Sequence, residues 1–188
     1  MVTIRDVTHE DDRIIEQMAQ MLVEGFREHW SDAWPTLEEA LDEVREMLAA
    51  DRICRVALDE RGRAVGWIGG IAEYDGLVWE LHPMVVRMDM QKRGIGRQLV
   101  RDLEAEVAKR GALTLQLGTD DQDSMTTLAD TDLYDDLPSK IANIRNLRGH
   151  PYEFYQKLGF KIVGVVPDAN GIGKPDILMA KRIQPPSA

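Results

Sequence analysis

Apolar residues recur at helical spacing in three stretches of the chain. They predict helices over residues 9–26, from Thr36 to about residue 48, and from about residue 96 to 110. Thr36 is a suitable N-cap, because acidic residues follow it in the first turn. Gly111 ends the third helix. We expect the apolar face of each helix to cover a core.

Shorter apolar runs, several of them alternating with polar residues, predict strands between these helices. The predicted strands cover residues 2–7, 52–58, 64–74, 77–88, 113–117, 160–166 and 176–183. A short helix follows His150 and stops at Gly159. The central order of strand, glycine loop, helix and strand indicates a parallel strand pair joined by a crossover. We therefore predict an α/β protein with a central mixed β-sheet flanked by helices on both faces.

The length of 188 residues suits one domain, which we place at residues 1–183, followed by a loose tail at residues 184–188. The formal net charge of −10 argues against a nucleic-acid partner and is compatible with a cationic small molecule. A single cysteine excludes an intrachain disulfide framework. No apolar run is long enough to span a membrane, and the first residues are polar, so we expect a cytoplasmic protein.

The most specific motif lies between a predicted strand and a predicted helix, at residues 91–96. Gly94 and Gly96 have no Cβ, so an anion can approach the unpaired N–H groups at the start of the helix. Three cationic residues add positive charge there: Lys92, Arg93 and Arg97. A phosphate or diphosphate suits such a loop, although a glycine-assisted turn without a ligand has the same pattern. The spacing matches neither a Walker loop nor a Rossmann fingerprint.

A second unusual stretch, residues 119–136, holds seven aspartates and no lysine or arginine. We expect no core element there. The stretch is either a disordered acidic insert or an ordered loop that binds a cationic ligand. It has no ligand spacing like that of an EF-hand, so we expect no metal ion.

Three further side chains are candidates for chemistry. Glu80 and His82 are two residues apart on one predicted strand, so they point to the same face, and either could take a proton from a bound group. Cys54 lies in an alternating strand without a nearby histidine pattern. We interpret it as a core residue rather than a nucleophile.

The spacing Gln91-x-x-Gly94-x-Gly96 after a strand resembles the pyrophosphate loop of the GNAT family of N-acetyltransferases. The order of the elements and residues 154–160 also resemble that family, and the resemblance covers nearly the whole chain. Four longer segments are similar to the aminoglycoside 6'-N-acetyltransferases within it: residues 79–86, 118–121, 150–155 and 167–176. One position departs from the family pattern, because Arg148 stands where many members carry an asparagine.

This resemblance implies the GNAT fold and an enzyme that moves an acetyl group from acetyl-CoA to the 6'-amine of aminoglycosides by direct attack, which confers antibiotic resistance. It also implies a homodimer. Two alternatives stay open. One is an enzyme of the same fold that acts on another amine, such as a polyamine, a protein N-terminus or a lysine. The other is a regulator that binds acyl-CoA without catalysis.

The resemblance also implies roles for single residues. Glu80 would contact the acceptor amine as a base, as a relay to water or as an anchor, with a structural role as the alternative. His82 would assist Glu80, or it would only have a structural role. The N–H of Met84 would stabilise the oxyanion, and Tyr155 would donate a proton to the leaving thiolate unless it only packs in the core. The residues expected to hold the coenzyme are Met84, Val85, Val86, Gln91, Lys92, Arg93, Gly94, Ile95, Gly96 and Arg97.

A polycationic acceptor needs clustered carboxylates more than an apolar pocket. The predicted acceptor-binding residues are Glu80, Asp120, Asp121, Asp123, Asp176, Trp30 and Trp34. For the aspartates of the acidic stretch, the alternative is a solvated run of charge. For the two tryptophans, the alternative is that they cap the core.

Overall fold

The computed structural model describes residues 2–183, so the predicted tail at residues 184–188 lies outside the described residues. The elements in chain order are β1 (Thr3–Asp6), α1 (Asp12–Phe26), α2 (Leu37–Glu46), β2 (Arg52–Leu58), β3 (Ala64–Glu73), β4 (Val78–Val86), α3 (Ile95–Lys109), β5 (Thr114–Asp120), α4 (Leu137–Ala142), α5 (Tyr152–Lys157), β6 (Lys161–Val166) and β7 (Asp176–Arg182). They belong to two compact units, residues 2–115 with Ile183 and residues 116–182. None of the helices within residues 2–183 is long and apolar enough to cross a bilayer.

The first unit holds an antiparallel sheet in the order β1-β2-β3-β4. A tight turn joins β3 and β4, and Tyr74, Asp75 and Gly76 all have positive φ there. Thr36 caps α2 as predicted. Its hydroxyl accepts from the Glu39 N–H at 3.2 Å, and the Glu39 carboxylate accepts from the Thr36 N–H at 3.2 Å.

Helices cover both faces of this sheet. α1 and α2 pack on one face, where Met18, Val44 and Trp67 are fully buried. The Trp67 indole donates to the Met18 carbonyl at 3.2 Å. α3 packs on the other face, where Leu99 and Leu103 lie against two glycines of β3. The predicted α/β class is therefore confirmed. The apolar faces of the three helices pack against the sheet, as expected.

β4 departs from a regular strand at His82-Pro83, which is a cis peptide bond. The pairing of β3 with β4 shifts by one residue between Ile68 and Gly70, so β4 carries a β-bulge here. A Cβ at Gly69 would overlap the carbonyl oxygen of His82. Glycine at this position therefore lets the bulge approach β3.

The second unit holds three strands in the order β5-β7-β6, with β6 and β7 antiparallel. The expectation that the acidic stretch adds nothing to a core is wrong, because Met125, Leu128 and Leu133 are buried. β5 runs on to Asp120, beyond its predicted end. α4 was not predicted, because six residues that include Pro138 are too short to show helical spacing.

Candidate functional site

The start of α3 lies at the predicted anion-binding loop. Gly94 is the N-cap, with φ 81° and ψ 5°, a left-handed conformation that favours glycine. No side chain within residues 2–183 caps this helix. The N–H groups of its first turn therefore stay available, together with the positive end of the helix dipole. A Cβ built on Gly94 would meet no atom within 4 Å, so the approach to this turn is open.

Positive side chains surround this helix start. Lys92, Arg93 and Arg97 are exposed, as a ligand-binding role requires. Gln91 ties the loop back to β4, because its Nε2 donates to the Val86 carbonyl oxygen at 3.2 Å. Backbone donors and cationic side chains thus occur together at one helix end, which is the chemistry that binds phosphate groups.

Side chains alternate along β4 between a buried face and a half-buried face. The buried set is Trp79, Leu81, Pro83 and Val85. The half-buried set is Val78, Glu80, His82, Met84 and Val86. Glu80 and His82 thus share a face, as their spacing predicts. The Val85 side chain packs toward α1, where a Cβ on Gly25 would lie only 2.7 Å from it.

The surroundings of Glu80 shift its pKa upward from the ordinary value. Burial raises its pKa, the nearby His82 opposes the rise, and the Glu73 carboxylate adds to it. A carboxylate with a raised pKa is a stronger proton acceptor than an exposed one. A cationic ligand beside Glu80 would also relieve the cost of its burial.

His82 lies beside a carboxylate that the sequence reasoning missed. Its Nε2 is 3.7 Å from Oε1 of Glu43 on α2, whose side chain is 19% exposed. A signal for this residue exists in the sequence. Glu43 falls three positions after the buried Ala40 and four before the buried Met47, on the core-facing side of its helix. An acidic residue at such a position is unusual enough to mark a candidate.

The two tryptophans have different surroundings. The Trp34 ring contacts Phe26 edge-on at a centroid distance of 4.7 Å and lies 6.0 Å from the His82 ring. The Trp30 ring contacts Phe26 at 5.8 Å and His29 at 5.5 Å. Trp34 therefore packs on the core and also borders the Glu80–His82 face. The acceptor contact of both tryptophans stays a prediction.

In the second unit, Asp120 is held by two neighbours. Its carbonyl oxygen lies 3.0 Å from Nε2 of His150, and its Oδ1 accepts from the side-chain amide of Asn170. The carboxylate is partly buried. It thus has a fixed orientation, which suits the predicted contact with a cationic ligand.

Asp121 and Asp123 differ from each other. Asp121 is fully buried, and its Oδ1 and Oδ2 accept from the N–H groups of Met125 and Thr126 at 2.6 and 2.8 Å. Its carboxylate is therefore engaged by the loop itself. Asp123 is exposed. Ligand contact stays a prediction for both, and the geometry favours a structural role for Asp121.

Asp176 lies at the start of β7, close to Gly118 on β5. A Cβ built on Gly118 would lie 2.6 and 2.9 Å from the two carboxylate oxygens of Asp176. The absence of a side chain at Gly118 thus allows this carboxylate to sit against β5. The predicted acceptor contact of Asp176 depends on that space.

Tyr155 is buried in α5, with its ring 5.1 Å from Phe154 and 5.7 Å from Phe160 between centroids. Burial raises the pKa of its phenol well above the usual value. The phenol therefore stays protonated at neutral pH, as a proton donor must. Its packing fits the alternative core role equally.

Asn146, near the position where the family pattern departs, is engaged within the second unit. Its Nδ2 donates to the His150 carbonyl at 2.9 Å, and its Oδ1 accepts from the N–H groups of Gly149 and His150. Arg148 is exposed. Cys54 is buried, and burial raises the pKa of its thiol to about 12, which fits a core residue.

A surface cavity of about 430 Å³ in the second unit contains none of the predicted site residues. It is lined by Thr127, Lys140, Asn143 and Arg145. Lys140 already donates to the carbonyl oxygens of Asp132 and Asp135. Within residues 2–183 no group of three histidine, cysteine or acidic side chains is placed to hold a metal ion.

The chain matches the family model described as the acetyltransferase (GNAT) family over residues 15–128. Among solved structures it is similar to an aminoglycoside 6'-N-acetyltransferase complexed with coenzyme A, with 46% identity, 99% of each chain covered and a TM-score of 0.89. The aminoglycoside 6'-N-acetyltransferase from Enterococcus faecium has the same identity and coverage, with a TM-score of 0.87. An aminoglycoside 6'-acetyltransferase type Ii is 39% identical over 98% of this chain and 99% of that one, with a TM-score of 0.74. No curated protein sequence matched the chain.

Proposed function

The chain belongs to the GNAT family of acetyltransferases, and from that premise we propose that it transfers the acetyl group of acetyl-CoA to the 6'-amine of aminoglycosides. The observation that carries this proposal is the 46% identity, over 99% of both chains, with an aminoglycoside 6'-N-acetyltransferase solved with coenzyme A. Acetylation turns a cationic amine into a neutral amide. The modified antibiotic would lose the ionic contact of this ammonium group with its target, which would be the basis of resistance.

The start of α3 would hold the diphosphate of acetyl-CoA. Gly94 leaves the first-turn N–H groups open, and Lys92, Arg93 and Arg97 add charge. The same loop includes Ile95, whose buried side chain anchors the helix start, and Gly96. Backbone groups of Met84, Val85 and Val86 would hold the pantetheine arm as an added strand would be held.

The acceptor amine must lose a proton before it attacks, because an ammonium ion has no lone pair. A primary alkylamine has a pKa of about 10 by analogy with lysine, so most of it is charged at neutral pH. Glu80 would bind this ammonium group and accept its proton, directly or through a water molecule. The negative charge of Glu80 supports its role in binding the ammonium group. The burial that raises its pKa supports its role as the proton acceptor.

Acetyl transfer forms a nitrogen–carbon bond and breaks the carbon–sulfur bond of the thioester. The N–H of Met84 would stabilise the negative charge that develops on the acetyl oxygen. Tyr155 would donate its phenolic proton to the leaving sulfur and regain one from solvent. The acceptor nitrogen loses two protons in all, one to Glu80 before attack and one to solvent as the amide forms. The thiolate gains one from Tyr155, which solvent restores, so one net proton is released and no covalent enzyme intermediate is needed.

Acidic residues would hold the remaining ammonium groups of the acceptor. Glu43 adds a carboxylate close to the Glu80–His82 face. Asp120 and Asp176 are the stronger of the proposed aspartates, because Asp121 is engaged by backbone N–H groups. Trp34, beside His82, would contact an apolar face of a sugar ring.

We also propose that residues 1–183 work as one acetyltransferase domain, in a cytoplasmic homodimer. The match to the family model, at residues 15–128, includes residues of both compact units, which supports one functional domain. Light scattering after size exclusion would test the dimer. A particle of twice the 21.3 kDa chain mass supports it, and a 21.3 kDa particle refutes it.

A panel of acceptors tests the proposed reaction, with the rate of thiol release from acetyl-CoA as the readout. Neomycin and paromomycin form a matched pair, because they differ only in an amine or a hydroxyl at the 6' position. We expect neomycin to be a good substrate and paromomycin to give little or no turnover. Spermidine and a peptide with a free N-terminus represent the other amines.

The outcomes separate the alternatives. A higher kcat/KM for spermidine or the peptide than for neomycin would support another amine as the substrate. Equal turnover of neomycin and paromomycin would refute the 6' position. Tight binding of coenzyme A without thiol release from any amine would support a regulator.

A further inference from the structure

A buried histidine in the second unit has both ring nitrogens engaged by backbone groups. His150 is only 2% exposed. Its Nε2 lies 3.0 Å from the carbonyl oxygen of Asp120, and its Nδ1 lies 3.2 Å from the N–H of Tyr152. A carbonyl oxygen only accepts and a backbone N–H only donates. The two contacts therefore fix the neutral tautomer with the proton on Nε2.

The partners of His150 are the ends of two elements. Asp120 is the last residue of β5, and Tyr152 is the first residue of α5. The Tyr152 N–H is one of the first-turn donors that a helix cannot satisfy itself, so Nδ1 supplies its acceptor. Asn146 fixes the His150 backbone on both sides, because it accepts from the N–H at 2.8 Å and donates to the carbonyl at 2.9 Å.

We propose that His150 is a positioning residue that joins the end of β5 to the start of α5, and so sets Asp120 and Tyr155 for acetyl transfer. The proposal rests on the proposed function for the roles of those two residues. The tautomer and the two hydrogen bonds do not depend on it. Nε2 donates to the carbonyl oxygen of Asp120. Nδ1 accepts from the first N–H of the helix that carries Tyr155.

Protonation of His150 would open this connection. The second ring proton would sit on Nδ1, opposite the Tyr152 N–H, and two donors repel each other. Asp120 and Asp121, which face the ring from the end of β5, favour the charged form, whereas burial opposes it more strongly and lowers the pKa of His150. Tyr152 is the titratable group that faces the ring from α5. The connection is therefore stable at neutral pH and opens in acid.

Two variants test the two ends separately. In His150→Asn, the side-chain oxygen can replace Nδ1 as the acceptor for Tyr152, but no donor reaches Asp120. In His150→Gln, the side-chain amide can replace Nε2 as the donor to Asp120, but the acceptor is lost. We expect His150→Asn to raise the acceptor KM about threefold to tenfold with kcat nearly unchanged. We expect His150→Gln to lower kcat by a similar factor with KM nearly unchanged.

A merely structural role predicts a different result. Both variants would then lower the melting temperature, and kcat and KM would change together or only the active fraction would fall. That pattern would overturn the proposal. The split between KM and kcat, reversed between the two variants, would support it.

A second measurement needs no variant and no acceptor. Nitrogen-15 NMR of the wild-type imidazole distinguishes the two tautomers and follows the pKa. We expect the Nε2–H tautomer, protonation only below the usual histidine range, and faster exchange of the Tyr152 amide once the ring is charged. An Nδ1–H tautomer, or a Tyr152 amide whose exchange does not change when the ring becomes charged, would overturn the proposal. If the wild type fails to acetylate aminoglycosides while the NMR result holds, the proposed function fails and the connection through His150 stands.

Discussion

Glu80 on β4 and Asp121 after β5 are both candidate ligand carboxylates in the sequence, yet they relate to the fold in opposite ways. Glu80 is half buried, and its burial raises its pKa, so its charge is a cost to the folded protein. Asp121 is fully buried, and both of its oxygens accept from backbone N–H groups at 2.6 and 2.8 Å. A bound cation would relieve the cost at Glu80, whereas it would have to compete with the loop at Asp121.

The same difference separates two regions. At the start of α3 no side chain caps the first-turn N–H groups, and the neighbouring Lys92, Arg93 and Arg97 are exposed to a ligand. The acidic stretch uses aspartates to hold its own turns, since Asp121, Asp130 and Asp132 all accept hydrogen bonds within it. A run of carboxylates is therefore evidence for a ligand only where the loop leaves their oxygens available. Variants in the first region should alter function, and variants of the aspartates that hold turns in the second should alter stability.

The largest functional effect is expected at Gly94. In Gly94→Val, a β-branched side chain would stand at φ 81°, over the N–H groups proposed to bind the diphosphate. Losing one charge-assisted hydrogen bond weakens binding about tenfold to a hundredfold. Calorimetry should therefore show a Kd for coenzyme A that is higher by this factor.

Gly111→Val is the matched control for backbone strain. Gly111 follows the other end of α3, with φ 83° and no atom within 4 Å of a built Cβ. Each variant should lose about 1–2 kcal/mol of stability, because both place a side chain in the left-handed region. If both variants weaken coenzyme A binding equally, the loop at residues 91–96 is only a turn. The start of α3 would then not be the diphosphate site.

Local chemistry explains why much of the first unit could be predicted from the sequence. Thr36 and Glu39 form their capping box within four residues, and the predicted strand at residues 52–58 matches β2 at Arg52–Leu58. The glycine loop was predictable for the same reason, because its donors belong to one helix end. Glu43 was missed, since its importance comes from His82 on a different element.

The acidic stretch shows the limit of such reasoning. Nothing local distinguishes Asp121 from Asp123, although one is buried and the other is exposed. The difference arises from the turn at residues 121–126, which brings two N–H groups to one carboxylate. The contact between His150 and the Asp120 carbonyl oxygen could not be predicted from local sequence either, because the two residues are thirty positions apart.

The second prediction is that Glu80→Gln separates activity from stability. Loss of a charged hydrogen bond to the acceptor should lower kcat/KM for neomycin about tenfold to a hundredfold. Stability should change the other way. The folded-state pKa of Glu80 is raised, so its favourable contribution is present at low pH and is lost as pH rises through that pKa. The melting temperature of the variant relative to wild type should therefore increase between pH 4 and pH 7.

The pH profile of kcat distinguishes the two roles of Glu80. If Glu80 is the base, the acidic limb of the wild-type profile should disappear in Glu80→Gln. If it is only an anchor, the limb should remain while the acceptor KM rises. If Glu80→Gln leaves kcat and KM for neomycin unchanged, Glu80 belongs with the structural carboxylates. The contrast with Asp121 would then disappear.

The third prediction concerns Asp121→Asn, which should reduce stability. The amide can accept from only one of the two buried N–H groups, and its own NH₂ would face the other. A buried donor without an acceptor costs about 1–3 kcal/mol, which urea unfolding would report. Asp123→Asn is the control, since Asp123 is exposed and should change stability little. A stable Asp121→Asn with a much higher acceptor KM would mean that Asp121 contacts the acceptor and does not serve the fold.

The smallest effect is expected from Gly118→Ala, which moves a carboxylate without removing it. The new methyl group would lie 2.6 Å from an oxygen of Asp176, so that side chain must shift. We expect the acceptor KM to rise about twofold to fivefold, because a displaced charge keeps part of its attraction, while the Kd for coenzyme A stays the same. Gly164→Ala on β6 is the control, since its methyl group would meet only Leu178 at an ordinary 3.7 Å. If Gly118→Ala leaves the acceptor KM as it is in Gly164→Ala, Asp176 belongs with Asp121 among the carboxylates that serve the fold.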